Sequence, residues 1–210
     1  MKRFLTAFVK ITGWLPQLLC FRTKITYEDR AVQSRRIKGK AIVVCNHTSV
    51  YDYAVLLFVF FGRVLHTQMA EVLFRKKLLG TFLKGMGGIY VDRGSHNMVF
   101  VQKSLAVLEK NGVLCVFPEA RLPREGEARP LTFQTSATYI ALESGAPVIP
   151  VYTNGRYFQK ARARVRIGTP IDARAYWDAD ADEKTNLERI TGVIRQKVIE
   201  LGNELEREQA

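Results

Sequence analysis

Residues 41–61 read Ala41-Ile42-Val43-Val44-Cys45-Asn46-His47-Thr48-Ser49-Val50-Tyr51-Asp52-Tyr53-Ala54-Val55-Leu56-Leu57-Phe58-Val59-Phe60-Phe61. The first five residues are an unbroken apolar run, which suits a short strand buried on both faces. A polar turn follows. Residues 50–61 are then apolar nearly all round, as in a buried helix. The same alternation continues along the chain. Residues 64–69, 89–91, 113–117, 148–152 and 163–167 read as strands. Residues 71–84, 98–110 and 135–143 read as helices, closed by Gly85-x-Gly87-Gly88, Asn111-Gly112 and Ser144-Gly145. Leu187, Ile190, Ile194, Val198, Leu201 and Leu205 form one stripe of a long last helix. Strands alternating with helices predict an α/β fold with a largely parallel central sheet flanked by helices. In such sheets functional residues collect at the carboxyl ends of strands.

The first of those ends carries Asn46, His47, Ser49 and Asp52. A neutral imidazole can take a proton from an attacking hydroxyl, and it does so best when a carboxylate holds its other nitrogen. Ser49-x-x-Asp52 also fits a capping box, in which Asp52 serves only the start of the helix. The spacing alone leaves both readings open. Two later strand ends carry Arg93, in Tyr90-Val91-Asp92-Arg93-Gly94, and Glu119 with Arg121, in Val116-Phe117-Pro118-Glu119-Ala120-Arg121. Arginine forks match phosphate oxygens, though a single strand-end arginine equally suits a salt bridge. Glu119 has three available roles: orienting a substrate hydroxyl, fixing an arginine, or capping the following loop. His66 reads as a bystander and His96 as a helix-start residue. No GxGxxG or GxxxxGK phosphate loop and no GxSxG elbow is present.

The 210 residues fit one domain with a short appendage, and their formal net charge is +12. Residues 1–40 carry ten Lys and Arg against only Glu28 and Asp29, so the charge favours one anion-facing surface. Within residues 4–21, Phe4, Leu5, Phe8, Ile11, Leu15 and Leu18 recur at helical spacing, interrupted by Lys10, with Pro16 expected to kink the helix. A spanning helix wants about 20 apolar residues, so this segment is a poor transmembrane candidate. It lacks a signal-peptide cleavage pattern as well. Its aromatic face and basic flanks suit a membrane interface, and packing on the core is the competing reading. The expected division is a helical interfacial segment over residues 1–36 and an α/β domain over residues 37–210. Cys20, Cys45 and Cys115 show no metal spacing and fit a reducing setting. The charge also permits nucleic-acid binding, but no basic helix, RNP-like strand or zinc spacing supports it.

The motifs in this order resemble the glycerolipid acyltransferase family, typified by the 1-acylglycerol-3-phosphate acyltransferases. Asn46, His47, Ser49 and Asp52 match its NHxSxxD block. Residues 88–93 match an apolar strand with a terminal arginine, and residues 148–151 match a strand with a central proline. Phe117-Pro118-Glu119 matches half of FPEGTR, while Ala120, Arg121 and Leu122 depart from it. The resemblance implies an acyl-CoA or acyl-carrier-protein donor, a lysophosphatidic acid acceptor, and no metal or bound cofactor. His47 is then the base and Asp52 its orienting partner. Asn46, Ser49, Arg93, Glu119 and Arg121 belong to the substrate site. The expected location is the cytoplasmic side of the cell membrane, on an anionic surface, in peripheral or monotopic form. The departures in the third block leave open a different acceptor, such as glycerol 3-phosphate or another lysolipid.

Overall fold

The structure is a computed structural model and describes residues 2–92, 98–159 and 162–208. Seven strands among these residues form one sheet: β1 (Lys24–Tyr27), β2 (Ala41–Cys45), β3 (Leu65–Ala70), β4 (Ile89–Val91), β5 (Val113–Val116), β6 (Val148–Thr153) and β7 (Arg164–Ile167). Their order is β1-β7-β6-β2-β5-β3-β4. All neighbouring pairs are parallel except β6 with β7. The five residues of β2 are all buried, and the strand lies between β5 and β6. A continuous apolar run is what a strand covered on both faces requires.

The pleat of β2 divides the core. Val43 and Cys45 face the side where α2 (Asp52–Val59) packs Leu56 and Val59, with Phe60 just past its end. Ile42 and Val44 face the side covered by α4 (Val99–Glu109), α5 (Ser136–Ser144) and α6 (Glu183–Arg207), through Leu108, Ile140, Ile190, Ile194 and Val198. The α6 stripe is the one its periodicity predicts, and each large aliphatic side chain it buries contributes about 1.5–3 kcal/mol.

Two predicted elements take a different form. The sequence reading placed residues 24–36 in a helical segment, but residues 24–27 form the edge strand β1. Only one side of that strand packs on the core, through Ile25 and Tyr27, so its four residues carry too weak an apolar signal to stand out. The helix expected over residues 71–84 is broken. A 3-10 turn, Glu71–Phe74, is separated from α3 (Lys77–Gly85) by Lys76 in extended conformation. Gly80 then sits so close to the turn that a Cβ there would lie 2.8 Å from the Phe74 carbonyl oxygen.

The first helix, α1 (Lys2–Cys20), runs through Pro16 and turns its apolar stripe outward. Phe4 is 79% exposed and Ile11 71%, while Thr6 and Lys10 are buried. Gly13 lets the helix approach the Phe58 ring, and Leu5 rests on Gly85 of α3. The Lys10 ammonium donates to the carbonyls of Phe60 (3.2 Å), Phe61 (2.8 Å) and Arg63 (2.6 Å), just past the C-terminal end of α2. A cation suits that end of a helix, where carbonyls lack partners in the helix itself. Burial nevertheless pushes the Lys10 amine down from 10.5 to about 8.

Replacing Lys10 with Met strands three partly buried carbonyls. We expect a stability loss of about 1–3 kcal/mol in denaturant unfolding. The folded pKa lies below the unfolded one, so the unfolded chain binds the proton more tightly between these values. Wild-type stability should therefore rise relative to Lys10→Met as pH increases from about 8 to 10.5.

Candidate active site

The site forms where β2 ends. Asn46 is buried and extends the ladder with its side chain: its amide donates to the Thr153 carbonyl (2.9 Å), and its oxygen accepts from the Thr153 N–H (2.8 Å). This fixes the end of β6 against the end of β2. The chain then turns, and Asp52 becomes the first residue of α2 with no measurable exposure.

The Asp52 carboxylate is turned back on the loop before it. One oxygen accepts from the Thr48 N–H (2.6 Å) and the Ser49 N–H (2.9 Å) and meets His47 Nδ1 at 2.9 Å. The other accepts from the Thr48 hydroxyl (2.9 Å) and the Tyr157 hydroxyl (2.6 Å). Only half of the capping box is formed: Asp52 accepts the Ser49 N–H, but the Asp52 N–H bonds the Ser49 carbonyl and not its hydroxyl, and the same carboxylate also holds the imidazole. The Ser49 hydroxyl accepts from the Tyr51 N–H (3.3 Å).

An ionised carboxylate only accepts, so Asp52 holds the proton on Nδ1 of a neutral His47 and leaves the lone pair on Nε2. The imidazole stacks on Phe117, with ring centroids 4.5 Å apart, and its side chain keeps 22% of its exposure. It is therefore held on one nitrogen and one face and still reaches solvent. A group so held can act chemically as a general base toward a hydroxyl placed at Nε2.

Glu119 is buried beside it. One oxygen accepts from the His47 N–H (2.7 Å) and the other from the Leu131 N–H (2.8 Å). Burial raises its pKa, opposed by those two donors. Among the three roles open from sequence, the observed contacts are those of a loop anchor. Arg121 does not join the cluster. It makes a two-pronged pair with Glu127 (2.6 and 2.7 Å) on the surface, and that pair holds the Glu127 carboxyl down at about 2. Ala120 has φ of 60°, a left-handed conformation that costs a non-glycine residue about 1 kcal/mol. Arg93 and His96 lie outside the described residues. Among the described residues, no three His, Cys, Asp or Glu side chains converge as a metal site requires.

Sequence reasoning missed Tyr157. Its hydroxyl bridges Asp52 and the Thr153 hydroxyl (2.8 Å), and burial, followed by the nearby Asp52 charge, drives its pKa upward. It lies 105 positions from Asp52, so no local spacing reveals the pair. Gly155, at φ of 65°, makes the approach possible, since a Cβ there would lie 2.4 Å from the Thr48 hydroxyl.

The site is thus a histidine–carboxylate pair at the carboxyl end of a central strand of a largely parallel α/β sheet. The sequence profile of the Acyltransferase family matches residues 23–154, and the chain belongs to that family. It is 25% identical over 170 residues to a 1-acyl-sn-glycerol-3-phosphate acyltransferase of Bacillus subtilis (strain 168), covering 79% of this chain and 82% of that protein. A protein of the same name from Limnanthes alba is 29% identical over 157 residues, covering 72% of this chain and 54% of the plant protein. The crystal structure of the 1-acyl-sn-glycerophosphate (LPA) acyltransferase of Thermotoga maritima superposes with a TM-score of 0.66 at 19% identity, over 96% of this chain and 81% of that one. That likeness supports the seven-stranded fold.

Hydrogen bonds to a charged group are worth about 1.5–3 kcal/mol. Tyr157→Phe should therefore lower kcat about tenfold or more, with little change in KM, in steady-state assays of acyl transfer. An unchanged kcat would show that Asp52 is held without the hydroxyl.

Proposed function

We propose that this acyltransferase moves a fatty acyl group from acyl-CoA or acyl-carrier protein to the free hydroxyl of 1-acylglycerol 3-phosphate, giving phosphatidic acid. The observation that carries the reading is the 2.9 Å contact between His47 Nδ1 and the buried Asp52. His47 Nε2 takes the hydroxyl proton as the oxygen attacks the thioester carbonyl. The tetrahedral adduct expels the thiolate, which recovers the proton from the imidazolium. Asp52 stabilises the imidazolium while it exists. No acyl-enzyme forms, and the chain's own residues supply the base, its orientation and the walls of the site.

The acceptor is proposed from the names of the relatives and from the motif positions. Arg93 is assigned to the acceptor phosphate. Arg121 is engaged with Glu127 and reaches a substrate only by exchanging that partner. Asn46 and Ser49 shape the loop around His47, and Glu119 anchors it. The departure of the third block, together with the Arg121–Glu127 pair, favours a second reading: the same chemistry on glycerol 3-phosphate or another lysolipid.

The enzyme is proposed to work docked on the cytoplasmic, anionic leaflet. No helix among the described residues is long and apolar enough to cross a membrane. Instead α1 exposes Phe4, Phe8, Ile11 and Trp14, and neighbouring α3 exposes Phe82 and Leu78, the latter by 88%. Such faces insert into the interface rather than span it. In this reading residues 1–36 serve docking and residues 37–210 serve catalysis, with β1 tying the two through the sheet.

His47→Ala should reduce acyl transfer by about 10²–10⁴-fold while circular dichroism stays native. Full activity in that variant would rule out the base assignment. One labelled donor offered lysophosphatidic acid, glycerol 3-phosphate and other lysolipids should label the first most rapidly. Phe8→Asp with Ile11→Asp, both on the outer face, should weaken flotation with anionic vesicles about a hundredfold or more.

A further inference from the structure

A concavity lies away from His47. It has a volume of about 1050 Å³ and is walled by α1, the start of β3 and β4, and the outer half of α4. It borders the amino ends of β3 and β5, whereas His47 stands at the carboxyl end of β2. The two lie at opposite ends of α2: Asp52 begins that helix, and Phe61, Gly62 and Arg63, just past its end, form part of the cleft wall. At 1.5 Å per residue the separation along the helix is about 15 Å.

The lining has two chemical parts. Lys84, Lys103 and Lys110 stand exposed on its rim, and none has an ion-pair partner among the described residues. Arg63 and Lys10 add two further cations, and no described acidic residue lines the space. Apolar side chains also line it: Ala106, half-buried Val107 and buried Ile89. The cleft also reaches Ala7 and Ile11 of α1, so it opens toward the outward apolar stripe of that helix. Lys84, Lys103 and Lys110 beside apolar lining residues, continuous with a lipid-facing helix, match a molecule with an anionic phosphate head and acyl chains.

We propose that this cleft is a binding site for a phosphate-bearing amphiphile, an anionic phospholipid. Its head sits among Lys84, Lys103 and Lys110, and its chains run along α1. The site is separate from the one that holds the acceptor. Occupied, it ties the docking helix to α4 and to the end of α2. The proposal rests on the reading of α1 as the bilayer-facing element, but binding here needs neither an intact bilayer nor acyl transfer.

The test is a titration of the isotope-labelled full chain, without acyl donor, with dihexanoylphosphatidic acid below its micellar concentration. The amide resonances of Gly88 and Gly112, in the cleft lining, report occupancy. They should shift saturably. Lys103→Gln with Lys110→Gln should weaken the titration about twenty-fivefold, since each lysine near an anionic head contributes a factor of about five. Arg35→Gln with Arg36→Gln removes the same charge elsewhere and should leave it unchanged, as should His47→Ala. Equal weakening by both charge pairs would overturn the proposal. So would dihexanoylphosphatidylcholine titrating the same amides as tightly, or inorganic phosphate saturating them at the same concentration, which would assign the cleft to the free ion. Because no donor is present, failure here leaves the acyl-transfer reading to stand or fall on the His47 variant.

Discussion

A single buried carboxylate organises the end of the sheet where His47 stands. Asp52 is enclosed at the start of α2, where an ionised group is costly unless every lone pair finds a donor. Two backbone N–H groups, two hydroxyls and an imidazole supply them. Those donors come from the loop after β2 and from the segment after β6, so satisfying the charge closes the loop and joins two strand ends. The imidazole is one of the five partners. Its orientation is thus a by-product of solvating the carboxylate, which is why it can stay rigid on one side and open to solvent on the other.

The same enclosure links α1 to the chemistry. Phe21, just past that helix, packs edge-on against Tyr157, with centroids 5.5 Å apart, and Tyr157 donates to Asp52. Lys10, earlier in the helix, grips the carbonyls at the other end of α2. The outward turn of the apolar stripe follows from this grip. A buried ammonium needs several acceptors, and the end of α2 offers three. The helix rotates its polar stripe inward to meet them and leaves Phe4, Phe8 and Ile11 on the surface. An amphipathic helix on a globular domain usually does the opposite.

What could be read in the sequence was what repeats or lies close together. The burial of β2, the strand and helix alternation and the α6 stripe all rest on local periodicity. His47 and Asp52 are five residues apart, so their pairing was in view, although the competing helix cap was separable from it only by seeing which N–H groups the carboxylate accepts. Tyr157 was hidden because its partner is over a hundred residues away and a lone tyrosine after a strand carries no signal. The edge strand β1 was hidden because one packed side over four residues leaves little pattern. The direction of the α1 stripe was undecidable because periodicity gives the width of an apolar face, not what covers it.

The third block shows how a motif can change while its geometry persists. Its first three residues are kept, and each has a backbone or stacking role: Phe117 under the imidazole, Pro118 accepting the Gln134 N–H, and Glu119 clamping the His47 and Leu131 N–H groups. Position 120 must turn left-handed, a conformation that glycine takes freely and Ala120 takes at a cost. Beyond it the loop no longer touches His47, and Arg121 settles on Glu127. The part of the block that matches the family pattern therefore ends where support of His47 ends. Ala120, Arg121 and Leu122, which differ from the family pattern, lie beyond the residues that support His47, so divergence in this loop leaves the His47–Asp52 pair intact.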